Sequence, residues 1–222
     1  MKLILAGAAL CAVSSPAFAQ QVDGSFDGFR AEALAGYDRV DLSIGEGSDN
    51  EEKSDGVFYG GAVGYDIQLD HLLFGFDGEI GSSTNGEEVS GAGTFEGYDY
   101  DGSLSLEDGL NWYAGVRAGT VVGSNLLYAK VGYARTTIDL DIDGTIDSEP
   151  VSERVDFNFS GVRFGAGLER SFGPAFGKIE YRYTTYSDAD AEYAGDTIDI
   201  EDELGDFDTE RHQIVVGVGI RF

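Results

Sequence analysis

What this chain lacks excludes more than what it carries. It has 1 Cys, and Cys11 falls in an N-terminal leader, so the mature chain has no disulfide framework, no thiolate metal site and no cysteine nucleophile. Bases are scarce: 14 Lys and Arg stand against 41 Asp and Glu, and a formal net charge of -27 excludes binding to nucleic-acid phosphates. With 3 Pro against 33 Gly, 12 Tyr and 14 Phe, the composition favours many short strands over helices. Beyond the leader no segment approaches the run of about 18 uncharged apolar residues that a spanning helix needs. That absence leaves strands untouched, because a membrane strand meets lipid only at every second residue and its hydropathy signal is weak.

The leader itself reads Met1-Lys2, an apolar run from Leu3 to Val13, Ser14-Ser15-Pro16 and then Ala17-Phe18-Ala19. Charge, apolar core and small-x-small site make residues 1–19 a secretory signal peptide, with residues 20–222 as the single mature domain. Leu10 before Cys11 is too large for lipoprotein processing, so no lipid anchor is expected. About 200 residues is a length that all-β barrels fill as one domain.

The mature chain divides into period-two runs. In the last, Ile214, Val216, Val218, Ile220 and Phe222 alternate with Gln213, Gly217, Gly219 and Arg221, giving one face for oil and one for an arginine. Seven earlier runs repeat the design, beginning with Phe29, Ala31, Ala33, Ala35 and Tyr37 opposite Arg30, Glu32, Leu34, Gly36 and Asp38. Three connectors are tight: Asp70-His71, Gly123-Ser124-Asn125 and Gly173-Pro174-Ala175. The other four are long and acidic, roughly Asp41–Asp55, Asn85–Asp108, Asp139–Asp156 and Asp188–Asp208. The pattern predicts an all-β fold: an eight-stranded antiparallel up-and-down transmembrane β-barrel with short periplasmic turns and four long acidic extracellular loops.

The polar strand faces carry seven bases, Arg30, Arg117, Lys130, Arg163, Lys178, Arg182 and Arg221, and seven acids, Glu32, Asp38, Asp66, Asp77, Glu79, Glu169 and Glu180. They cancel, as buried charges must if they are to be paired. Once Lys2 leaves with the leader, 41 acids face 13 bases, and the surplus of 28 negative charges sits in the loops and rims. The glycines of these runs, Gly60, Gly64, Gly115 and Gly132 among them, fall on the polar face, where a narrow barrel must alternate large side chains with none. The expected lumen is therefore a packed charge network that does not conduct freely. On the apolar face Phe29, Phe74, Phe172 and Phe222 mark the short-turn end, and Tyr37, Tyr59, Trp112, Tyr133 and Tyr183 the loop end, as two aromatic girdles would.

On Gly64-Tyr65-Asp66, Gly132-Tyr133, the Glu180-Tyr-Arg-Tyr183 segment and the terminal Arg221-Phe222, the chain resembles the small outer-membrane β-barrel family that includes OmpA-type transmembrane domains, OmpX, the opacity proteins and the porin-like surface proteins of alphaproteobacteria. The resemblance implies a bacterial outer-membrane protein serving envelope integrity, adhesion or host contact without catalysis. It also implies that the assembly machinery reads Phe222. Nothing follows Phe222, so the peptidoglycan-binding domain of OmpA proper is expected to be missing.

Sharper chemistry finds little support. Asp139, Asp141 and Asp143 open like a calcium loop, but Pro150 stands where a bidentate Glu is needed, and a hairpin with Asp143-Gly144 as its type I′ turn fits better. No cofactor and no dedicated metal site are expected; the loops are expected to gather Ca²⁺ or Mg²⁺ only diffusely, between carboxylates or to lipopolysaccharide phosphates. An outer-membrane enzyme of the lipid A-modifying type would want a His beside a Ser at the outer rim, whereas His71 lies in a tight turn and His212 faces lipid. A narrow porin-like channel is the other alternative, and eight strands are too few for an open pore. The expected partners are the bilayer with its lipopolysaccharide, the assembly machinery and an unidentified surface partner, met by a monomer.

Overall fold

The computed structural model describes residues 25–44, 52–95, 98–146, 149–193, 196–199 and 207–222. The leader proposed for residues 1–19 lies outside the described residues. No helix occurs among them. Ten strands follow in order: β1 (Gly28–Ile44), β2 (Glu52–Leu69), β3 (Leu72–Ser83), β4 (Gly86–Phe95), β5 (Tyr98–Val122), β6 (Asn125–Ile146), β7 (Glu149–Phe172), β8 (Ala175–Tyr193), β9 (Asp196–Asp199) and β10 (Phe207–Arg221).

Eight of these are the staves of a closed antiparallel ring, β1-β2-β3-β5-β6-β7-β8-β10, with β10 returning to β1. The other two are outward extensions. β4 continues the stave of β3 after a break at Thr84–Asn85, pairing β5 from Gly86↔Glu107 to Phe95↔Tyr98, and β9 folds back on the top of β8. Straight across the sheet from Asp38, partners run through Gln213, Arg182, Gly165, Lys130, Arg117, Gly75 and Asp66 to Gly28, ten residues below the start. With eight strands that stagger fixes the geometry: a strand tilt of about 40° and a backbone radius of about 8 Å, from standard rise and spacing. Side chains from facing walls must meet in so narrow a tube.

The three tight links each take two residues and carry a positive φ at the first of them, Asp70 (57°), Gly123 (61°) and Gly173 (77°). A positive φ at the head of a two-residue hairpin link matches the twist of the flanking strands; glycine adopts it freely, and Asp is among the few other residues that tolerate the left-handed region. Gly28 (φ 111°) lets the chain turn into β1 where Phe29 and Phe222 exchange both backbone hydrogen bonds at 2.9 Å.

The fold is apolar outside and polar inside. Val218 (68%), Phe76 (65%) and Val63 (63%) are among the most exposed side chains, whereas Asp66 and Arg182 are fully buried. The structure corrects the sequence reading of the long connectors. They are mostly not loops: the staves rise beyond the girdle as paired hairpins, β5 alone running 25 residues, so that the crown is sheet. Asp143-Gly144 is not a turn but lies inside β6, opposite Ser152 and Val151 of β7, and the reversal at 147–148 lies outside the described residues. Alternation simply continues past the membrane, so period alone could not say where the lipid stops.

Glycine on the two faces has two different environments, and this yields a test. A Cβ at Gly60, on the lumen side, would sit 2.8 Å from Gly81 Cα, whereas one at Gly61, facing lipid, would meet nothing nearer than 3.5 Å. Gly60→Val is expected to abolish the heat-modifiable, compact gel species after refolding in detergent, and Gly61→Val to retain it.

Candidate functional site

The lumen is built in tiers. At the periplasmic mouth Phe26, Leu73, Val121, Leu126 and Tyr128 form an apolar floor. Phe26 is latched there: its N–H donates to Gln68 Oε1 at 2.8 Å, its carbonyl accepts from Arg221, and the Arg221 guanidinium lies 5.4 Å from its ring centre. This floor was not anticipated, because Phe26 precedes the first alternating run and only its position in the closed ring gives it a role.

Above the floor Asp66 gathers three guanidinium groups, from Arg30 (3.1 Å), Arg117 (2.5 Å) and Arg221 (2.7 Å). Glu169 accepts from Arg117 at 3.0 Å and Arg221 at 2.6 Å, and Arg30 reaches on to Asp77 and to Glu32 at 2.6 Å. In the middle tier Glu79 is the hub, with Lys130 at 2.5 Å, Arg182 at 3.1 Å and Arg163 at 3.4 Å. Glu180 takes Lys130 at 2.8 Å and the Tyr128 hydroxyl at 2.6 Å and touches Arg182, while Lys178 bridges to Glu32 at 2.8 Å. Aromatic faces cover the cations between tiers: Lys130 lies 4.7 Å from the Tyr113 ring centre and Arg117 5.0 Å from that of Tyr128. A second apolar cluster, Leu34, Phe58, Ala62 and Val215, lies where β1, β2 and β10 run side by side.

All fourteen side chains read as the polar-face ledger are buried, and the structure brings thirteen of them into these contacts. The fourteenth, Asp38, belongs to an upper tier whose centre sequence reasoning missed. Arg211 binds Asp38, reaches Asp108 at 2.6 Å and donates to Asn111 Oδ1 at 2.8 Å. Parity could have found Arg211, which shares a face with Gln213 and Arg221. It could not have found Asp108, because β5 carries one extra residue between Asp108 and Asn111 and the face flips there. With both added, the lumen holds eight bases and eight acids, and balance survives.

The other candidates are placed as follows. Asp139 and Asp141 share Arg154, at 3.0 and 3.6 Å, and lie with Asp143 at alternate positions along one extended strand, which cannot wrap an ion. Among the described residues no three His, Cys, Asp or Glu are gathered as a metal site. Burial raises the Asp139 carboxyl above its ordinary range, Arg154 opposing and Asp156 adding to the effect. His212 meets the Tyr181 hydroxyl at Nδ1 (2.8 Å), the Tyr183 ring and, at 3.8 Å, Glu210. His71 is exposed beside Asp70 in its turn. Phe222 stacks against Phe29 with ring centres 6.4 Å apart.

A closed ring with an oily exterior and a salt-bridged interior defines an integral outer-membrane β-barrel. The chain belongs to the family described as the outer membrane protein beta-barrel domain, whose model matches residues 4–222. It is similar to the 25 kDa outer-membrane immunogenic proteins of Brucella canis (29% identical over 164 residues, 73% of this chain and 64% of the relative) and of Brucella melitensis (28% over the same length). The matched stretch thus spans just under two thirds of those relatives. Among solved structures it is similar to Neisserial surface protein A (14% identity, 88% of this chain and 97% of that one, TM-score 0.44) and to OprG of Pseudomonas aeruginosa (13%, 91% and 99%, TM-score 0.43). The protein is therefore an outer-membrane barrel.

Removing one partner of a buried pair leaves the other charge uncompensated, at a cost of about 3–5 kcal/mol. Glu79→Ala, which removes the carboxylate on Arg163 and leaves Lys130 and Arg182 with Glu180 alone, should lower stability by that order in urea unfolding of the refolded barrel. Arg154→Ala, at an exposed crown site, should change it by no more than about 1 kcal/mol.

Proposed function

We propose that this barrel is a non-catalytic, monomeric surface protein whose wall anchors it and whose acidic hairpin crown makes its contacts, in a structural, envelope-integrity or adhesive role. The observation that carries this reading is the filled lumen: a floor at Phe26, paired charges through the middle and the Arg211 cluster above leave the side chains of the interior no reacting or conducting task. His212 is set among Tyr181, Tyr183 and Glu210, a group without serine, cysteine or threonine, which supports a non-catalytic role over lipid A modification. Phe222, hydrogen-bonded through its backbone to Phe29, is the residue this reading assigns to recognition by the assembly machinery. The crown's partners are lipopolysaccharide, met through Ca²⁺ or Mg²⁺, and an external surface partner.

Planar-bilayer recording on refolded protein tests the reading directly. No stepwise conductance is expected, and a stable open level would overturn it. Chelating divalent cations at low salt should lower the melting temperature by roughly 2–4 °C if bridging is worth about 1 kcal/mol; an unchanged transition would remove the cations from the account.

A further inference from the structure

Three guanidinium groups crowd one wall of the lumen above the Glu79 hub. Thr184 on β8 is the direct neighbour of Arg163 on β7 and of Arg211 on β10, and Arg182 stands two residues nearer the periplasm on the same face. Arg182 and Arg211 are each held by two carboxylates, Arg182 by Glu79 and Glu180, Arg211 by Asp38 and Asp108. Arg163 is served less well. Its Nε donates to Thr184 Oγ1 at 3.0 Å, and its one carboxylate among the described residues is Glu79, at 3.4 Å and already shared with Lys130 and Arg182. Every other lumenal base has a carboxylate oxygen at 2.8 Å or nearer.

The lumenal charges balance as a whole but not tier by tier. Near the floor Arg30, Arg117 and Arg221 meet Asp66, Asp77 and Glu169. In the middle the bases are Lys130, Arg163, Lys178 and Arg182, and the acids are Glu79, Glu180 and Glu32, which Arg30 also uses. Above them Arg211 alone faces Asp38 and Asp108. One positive charge is therefore left over at the level of Arg163. Two side chains beside it carry polar groups without a partner: among the described residues neither Oε1 nor Nε2 of Gln213, nor the Tyr186 hydroxyl, is hydrogen-bonded. Both residues are buried, at 1% and 3% exposure. Gln213 stands between Asp38 and Arg182 in the register, and Tyr186 is two residues above Thr184, its hydroxyl within electrostatic reach of both Arg163 and Arg211. A buried hydrogen-bonding group without a partner is costly, and three such atoms beside an under-paired cation call for a ligand.

We propose that Arg163 is the base of a lumenal site for one small monovalent anion of about the size of chloride, set between the Glu79 hub and the Arg211 cluster. Arg163 supplies the charge through Nη2, the amino group that neither Thr184 nor Glu79 uses. The Tyr186 hydroxyl and Gln213 Nε2 supply neutral donors, and hydrogen bonds from such groups to an ion are stronger than those between neutral partners. A single negative charge cancels the local surplus, whereas sulfate or phosphate would exceed it and would not fit among side chains that meet across so narrow a tube. Water would satisfy the same donors but leave the surplus standing. The anion binds three staves together, since Arg163, Tyr186 and Gln213 come from β7, β8 and β10. The Glu79 tier and the Phe26 floor close the lumen below it, so it acts as a structural ligand of a non-conducting barrel.

The test refolds the full-length barrel in neutral detergent with sodium gluconate and replaces gluconate stepwise by chloride or bromide at constant ionic strength. The melting temperature should rise saturably with either halide, by roughly 2–4 °C. Tyr186→Phe removes one donor and should raise the half-saturating concentration about fivefold. Arg163→Met should abolish the dependence, and Arg154→Met, at the exposed crown, should keep it, with heat-modifiable migration reporting that each variant has folded. Should Arg163→Met not fold, Tyr186→Phe and Gln213→Leu carry the test, each with weakened halide dependence expected. Crystals grown in bromide should show an anomalous peak in contact with Arg163 Nη2 and the Tyr186 hydroxyl. A flat response to both halides would mean that water serves these donors and would overturn the site. A response that the variants at Arg163, Tyr186 and Gln213 leave unchanged would place the anion elsewhere and overturn it as well.

Discussion

A guanidinium or carboxylate taken out of water is tolerable only while its partners stay in place, and this constraint orders the molecule. Asp66 is buried among three arginines and Glu79 among two arginines and a lysine, so neither acid can be fixed by one strand alone. Arg117, on β5, holds Asp66 from β2 and Glu169 from β7 at once; Arg211, on β10, holds Asp38 from β1 and Asp108 from β5. Apart from Arg211–Asp38, which joins adjacent staves, these contacts skip at least one stave instead of following the ladder. They make the closed ring a condition of charge pairing, as the ladder makes it a condition of backbone pairing in lipid.

The radius enforced by eight tilted strands explains the rest of the interior. Where a long cation crosses the tube, the wall it approaches must be bare. Gly64 sits against the Arg30 guanidinium, Gly165 against the Lys130 stem and Gly75 against the Asp66 carboxylate. Aromatic rings fill what the charges do not, and Phe58 with Leu34 and Val215 closes the side of the lumen facing the hub. The outer wall is under no such crowding, which is why Gly61 and Gly78 there have room around them and the lumenal glycines do not.

Much of this was legible because period two is enforced wherever one face meets lipid and the other meets charge. The lumenal side of Arg30 through Arg221, the turn at Asp70-His71 and the last stave ending at Phe222 all follow from parity and from the ends of runs, whereas parity is silent on which acid meets which base. Parity fails at a bulge, and the extra residue of β5 hid Asp108 from the network it completes. It also carries no information about height. Ile138, Leu140 and Ile142 alternate as well above the membrane as Val131 and Tyr133 do within it, so the hairpin there was legible while its reach was not, and the turn was set at Asp143-Gly144, inside β6. The Phe26 floor was illegible for a third reason: a lone aromatic before a strand has no pattern, and its burial depends on Leu73, Val121 and Leu126 arriving from three other strands.

The division of charge between wall and crown then acquires a physical meaning. The sixteen charges of the lumen sum to zero, so the membrane-embedded interior carries no net charge, and nearly all of the surplus lies in the sequence of the crown segments. Such a surplus raises the local concentration of any cation and repels anionic surfaces beyond contact distance, an effect limited by salt to about 10 Å. A flexible acidic loop would spend that field without direction. Here the acids of β6 and β7 are set in rows by a paired sheet, with Asp139 opposite Asp156, so the field has a fixed spacing. A partner of the kind proposed for this crown would therefore be read by the order of its charges as well as by their number.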